Sequence, residues 1–241
     1  MESFSLDILG PVSSQSAPLA GLNDIDWHSL QHAYGAADDV PDQLLSLAAG
    51  DDSAIEELFG SIYHQGSVYE ATAYAIPFLW HLLAQRGEGG HPGIAGLVSS
   101  IAEASSIHHS VWSEKCREEV RKGNSIALHL LSTTDETARR GAVSILACFP
   151  EYAGQLEAPL RGVLHRPDCS KHESTRIGLA LAALSCFDEA AFAPSGAAFF
   201  VEAKLLAQEV AEGNPEALRT CLSVLTETID RNPEDLSNWS A

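Results

Sequence analysis

The sequence predicts an all-α fold, a right-handed α-solenoid of about five stacked antiparallel helix pairs. Three observations predict it. Apolar residues recur at intervals of three and four, as in Ile94, Leu97, Val98 and Ile101, which is the spacing of one helical face. No run of alternating apolar and polar residues argues for a strand. The second half also repeats itself: Thr133 with Glu136 and Ser170 with Glu173 have the spacing of a capping box and stand 37 residues apart. Six residues after each of these caps comes an arginine, Arg139 and Arg176, and then a run of small and aliphatic residues. A looser third copy leads from Asn214-Pro215-Glu216 to Arg219.

Taken in order, residues 1–24 contain Gly10, Pro11, Pro18 and Gly21 and read as an extended arm. The run Trp27 to Tyr34 reads as a short helix stopped by Gly35. Pro41 opens the next helix, with Leu44, Leu45 and Leu47 on its buried side. Ser53 with Glu56, and Ser67 with Glu70, repeat the capping-box spacing. The segment His64 to Leu83 is the densest aromatic stretch, and Pro77 within it predicts a kink, since proline has no N–H for the carbonyl of Ala73. A Gly-rich loop follows Arg86, and a long helix over about Trp112–Leu131 carries an irregularity at Gly123-Asn124. Further amphipathic helices are expected around Gln155–Leu164 and Ala198–Val210. The solenoid is expected to span residues 25–231, leaving a tail at 232–241.

Charge narrows the function classes. The net charge is −19, and no Lys or Arg precedes Arg86, while that first part holds twelve acids. Such a surface repels phosphate, so nucleic acid is not an expected partner; it keeps the chain in solution and favours a basic partner. The five cysteines, Cys116, Cys148, Cys169, Cys186 and Cys221, are odd in number and lack ligand spacing. They read as reduced thiols, which points to the cytoplasm. Met1-Glu2-Ser3-Phe4 lacks the basic start of a secretory signal, and the apolar runs stop short of a membrane span.

The run Asp135-Glu136-Thr137-Ala138-Arg139-Arg140-Gly141-Ala142-Val143 resembles the second helix of a HEAT repeat. Glu173–Ala183 and Asn214–Leu225 are similar in diminishing degree, and Trp27–Pro41 and His64–Leu83 resemble segments of bacterial HEAT-repeat proteins. The resemblance implies an armadillo-type array whose concave face is a binding surface, with no chemistry of its own. It also implies that the repeat arginines Arg139, Arg176 and Arg219 bond to the next repeat or its loop.

No GxSxG, P-loop or GxGxxG occurs, so a non-catalytic scaffold without cofactor is expected. Its protein or peptide partner would meet His64, Tyr69, Glu70, Tyr74 and Trp80, since exposed aromatics anchor interfaces. A sharper form is an immunity-type protein that masks a basic partner by its acidity. The rival class is a metal-binding protein or enzyme using His28 and His32, four apart on the expected helix, with Asp24, Asp26 and His64 near. His172-Glu173 resembles the His-Glu pairs of iron-binding HEAT-repeat hydroxylases, but it stands alone, and Glu173 reads as a cap partner. His108, His109 and His129 are isolated.

Overall fold

The periodic apolar runs fold as helices in the computed structural model, which describes residues 19–186 and 205–227. In chain order they are α1 (Val40–Ala48), α2 (Ala54–Ser61), α3 (Glu70–Gln85), α4 (Pro92–Ile107), α5 (Val111–Lys122), α6 (Asn124–Leu130), α7 (Glu136–Ala147), α8 (Ala153–Leu164) and α9 (Lys171–Ala183). Helical residues 205–211 form α10, and Pro215–Glu227 form α11. The rest of the expected Ala198–Val210 helix, the tail at 232–241 and residues 1–18 of the expected arm lie outside the described residues. Among the described residues, no helix is long and apolar enough to cross a membrane.

Two miniature hairpins interrupt the helices, where no strand was expected. Strands β1 (Gln31–His32) and β2 (Gly35–Ala36) pair antiparallel, and so do β3 (Tyr63–His64) and β4 (Ser67–Val68). Two-residue strands are too short to show alternation. The expected helix from Trp27 therefore ends as a 3-10 turn at Ser29, because Leu30 turns extended at ψ 153°. Residues 19–24 do not extend away either: Leu19 and Leu22 are buried, and the Trp27 indole N–H donates to the Leu22 carbonyl at 2.9 Å. In α1, Leu44 and Leu47 are buried but Leu45 is exposed, since it lies a third of a turn off their stripe.

Helix starts depart from the expected caps in an instructive way. Ser170 caps α9, its hydroxyl accepting the Glu173 N–H at 2.9 Å. Thr133 does not cap α7; Asp135 does, accepting the Ala138 N–H at 2.8 Å, because its carboxylate sits next to the first turn on an extended backbone. Ser67 is likewise no cap, being held in β4 opposite His64. Tyr69 takes the cap position of α3, and its N–H goes to Thr72 Oγ1 at 2.8 Å. Glu70 is the first residue of that helix. Ser53 donates both its N–H and its hydroxyl to Asp51, leaving the first turn of α2 without its side chain.

Packing centres on α4, which lies against α2, α3, α5, α7 and α11. The approach to α7 is close: a Cβ added at Gly141 would lie 2.8 Å from Ala95 Cβ and 3.0 Å from its carbonyl carbon. The Gly/Ala-rich run of α7 thus serves backbone proximity. From α7 the contacts pass to α9, from α9 to α11, and from α11 back to α4. These four helices close a circuit. The Ser144 hydroxyl on α7 is buried within donating distance, 3.1 Å, of the Leu225 carbonyl on α11. In an open stack each layer touches only its neighbours, so α4 and α11 would not meet.

The repeat arginines divide. Arg139, 1% exposed, donates to both carboxylate oxygens of Glu173 on α9, at 2.6 and 2.9 Å, and to the Thr133 and Thr134 carbonyls. Glu173 is therefore the partner of a buried arginine and not a side-chain cap. Arg176 is also buried. Arg219 is exposed and meets Glu216 at 3.3 Å on its own helix.

Candidate functional site: an acid-rimmed groove between α3 and α5

The expected partner-binding residues do not stay together. Trp80 is buried, its ring stacked so closely on Gly123 that a Cβ there would fall 2.0 Å from Trp80 Cε2. It is a core residue, and it also explains why the long expected helix breaks into α5 and α6 at Gly123. Tyr69 and Glu70 are half-buried at the start of α3. His64, also half-buried, sits at the hairpin, its ring 5.3 Å from that of Tyr34, which is 72% exposed.

Tyr74 has a different setting. It projects, 39% exposed, from the face of α3 that also carries Ala73, Pro77 and Phe78. With Ile25 and with Val111 of α5, 65% exposed, these residues line an open groove of ≈ 720 Å³. The opposite side is α5, which presents Glu114, Lys115, Glu118 and Glu119. Of these acids, Glu118 is paired with Arg121 and Glu119 with Lys122, each at 2.6 Å, which leaves Glu114 as the lining's acid outside those pairs.

The charges of α5 are sorted across the helix. Arg117 points away, donating to the Cys148 carbonyl at 2.7 Å and to both oxygens of Glu151. Arg121 bridges from Glu118, at 2.6 Å, to the Tyr152 hydroxyl. That hydrogen bond holds the Glu118 carboxyl below its ordinary value, so it stays ionised at the groove edge. Lys115 is drawn over the Trp112 ring, 4.5 Å from its centroid.

Pro77 shapes the base of the groove. α3 continues through it from Glu70 to Gln85, yet residue 77 brings no N–H to the carbonyl of Ala73 four residues earlier. Both residues line the groove. Ala73 is buried and the ring of exposed Pro77 crowds its carbonyl, so Pro77 presents an apolar ring to the groove.

The histidines of the metal alternative go separate ways. His28 lies in the 3-10 turn, exposed, with Nδ1 3.0 Å from Asp38; that contact raises its pKa. His32 lies in β1, buried, with Nε2 2.9 Å from Asp39. Its Nδ1 accepts the Tyr34 N–H at 2.9 Å, so the proton resides on Nε2 and is donated to Asp39. The four-residue spacing has no common helix to act through. No group of three potential ligands is found among the described residues.

Two features escaped the sequence reading. Val111, Glu114 and Glu118 complete the groove from a helix whose polar composition looked unremarkable; the signal available was Val111, an apolar residue just after the Ser110 cap on the face shared by the two glutamates. The other is the hairpin repeat. His32 and His64 are equivalent positions, each the second residue of a first strand and 32 residues apart, and a helix follows each hairpin.

Fold and site together define a helical protein with an open groove between α3 and α5, lined by apolar residues and by charged residues of α5. Comparison with protein-family models, with curated proteins and with solved structures gives no match.

Proposed function

We propose that this chain is a non-catalytic, cytoplasmic scaffold of the HEAT type that binds a basic protein or peptide partner. One observation carries the reading: the α3–α5 groove combines exposed Tyr74 and Val111 with an edge that carries Glu114, Glu118 and Glu119. Apolar anchors supply affinity, and the surrounding acids select the sign of the partner and speed encounter. The absence of any base before Arg86 extends the same field over the part of the chain that contributes α3. Masking a basic toxin, as an immunity protein does, is the specific form this favours. The groove replaces the concave face as the proposed contact, since α4, α7, α9 and α11 pack on one another.

The test compares wild type with the double variant Tyr74→Ala, Val111→Ser as affinity bait at low and high salt, with captured proteins identified and then titrated as pure components. A basic partner lost about 10-fold or more on groove substitution, and weakened by salt, is expected. A partner that is acidic, or indifferent to both changes, would overturn the reading.

A further inference from the structure

We infer that a second pocket, between the β3–β4 hairpin, α4 and α11, binds a zwitterion: a free amino acid or short peptide whose ammonium goes to Glu103 and whose carboxylate goes to Arg219. This pocket is separate from the α3–α5 groove, and the inference stands independently of the role proposed for that groove.

Tyr63 of the hairpin, Ser100, Glu103 and Ile107 of α4, His108, and Arg219 of α11 line an open cavity of ≈ 720 Å³. Residues 100, 103 and 107 share one face of α4, so a hydroxyl, a carboxylate and an aliphatic side chain follow one another along the wall. Ser100 and Glu103 are 8% and 9% exposed, sheltered from bulk water yet open to the cavity. The Ser100 hydroxyl has no hydrogen-bond partner among the described residues, a costly state that a ligand would relieve. A carboxylate has about four lone-pair sites, so a protein contact on Glu103 still leaves capacity for an ammonium.

Arg219 stands on a different wall. Its Nη1 donates to Glu216 of the same helix at 3.3 Å, and among the described residues no ion pair joins it to Glu103. Both members of the Arg219–Glu216 pair are more than half exposed, so it holds the guanidinium weakly. The remaining N–H groups of the fork are left for an incoming carboxylate. Opposite charges that share a cavity without pairing are matched by a molecule carrying both signs; a ligand of one sign is attracted at one wall and repelled at the other. Tyr63 and Ile107 supply apolar surface for its side chain. Such a ligand would tie α4 to α11, the contact that closes the helix circuit, and so stabilise the fold.

The test titrates leucine, Leu-Gly and Leu-Gly-Gly into the isotopically labelled full chain, with amide resonances followed by NMR. Leucinamide, which keeps only the positive charge, and N-acetylleucine, which keeps only the negative, are run beside them. Titration up to about 20 mM reaches dissociation constants near ~10 mM. At least one zwitterion is expected to perturb residues 63–66, 100–108 and 219–223, to bind about 3-fold or more tightly than either one-charge analogue, and to raise the Tm. The length that binds best separates a free amino acid from a peptide. Arg219→Gln, at an exposed position, should bring the zwitterion down to the affinity of leucinamide; Glu103→Gln should bring it down to that of N-acetylleucine. If Glu103→Gln fails to fold, Arg219→Gln and the two analogues still decide. One-charge analogues binding as tightly as the zwitterions would overturn the inference, as would Arg219→Gln binding them like wild type. No perturbation of these residues by any of the five ligands would overturn the pocket itself.

Discussion

Arg139 and Glu173 are buried at 1% and 0% side-chain exposure and joined by two hydrogen bonds. Such a pair is retained at a desolvation cost, so removing one member is far worse than removing both. Arg139→Met should lose about 3–5 kcal/mol in urea unfolding at neutral pH, and Arg139→Met with Glu173→Met should recover most of it. Beside them, the Arg166 hydrogen bond holds the Asp168 carboxyl down at about 2 from its ordinary 3.8, with Arg139 adding to the effect. A carboxyl depressed on folding contributes stability above its unfolded value and loses it as pH falls through the folded one. The loss belongs between about pH 4 and 2, and Asp168→Asn should flatten that part of an acid-unfolding curve. Burial pushes the thiols of Cys116, Cys148 and Cys221 up to about 12. At pH 8 a thiol reagent should leave these three untouched in the native chain, react slowly with half-buried Cys169 and Cys186, and find all five after unfolding. At this scale the arginine was legible from its position in the repeat; its partner was not, because a glutamate three residues after a serine is also what a capping box requires.

α3 and α5 were legible as helices, and Pro77 and the Gly123 irregularity were visible as interruptions. What each interruption is for depends on a residue distant in sequence, Trp80 lying on Gly123 and α5 lying beside Pro77. Gly123→Ala tests the close approach. Gly123 is the residue between α5 and α6 and gains nothing from the helix propensity of alanine; the 2.0 Å approach to Trp80 forces overpacking, which costs about 1–3 kcal/mol or more. Denaturant titration should therefore show a loss. The hairpins and the shift of the α7 cap from Thr133 to Asp135 were illegible for local reasons. Two-residue strands carry no period, and Thr133 and Asp135, two residues apart, both satisfy a cap pattern.

Across the whole molecule, the 37-residue repeat made helix pairs readable, but their closure was not. Nothing in a nearest-neighbour pattern announces that α11 returns to α4. Leu225, fully buried on α11, accepts from Ser144 of α7, one of the four helices of the circuit. Leu225→Ala should cost about 2–5 kcal/mol, and hydrogen exchange should rise in α4 as well as in α9. In a linear stack the disturbance would stay with the last layers. The distribution of charge was fully readable, since it needs only a count of residues before and after Arg86.

The circuit of α4, α7, α9 and α11 also bears on how such a chain responds to load and to duplication. An open stack stretches as a spring, by small rotations at each interface, and can gain a layer wherever one is copied. Here tension between α4 and α11 meets their direct contact first, so extension should begin with a discrete rupture rather than a gradual lengthening. A further helix pair inserted between α7 and α9 would have to break the same contact to be accommodated. Among the described helices, the same contact would therefore resist both stretching and the insertion of a layer.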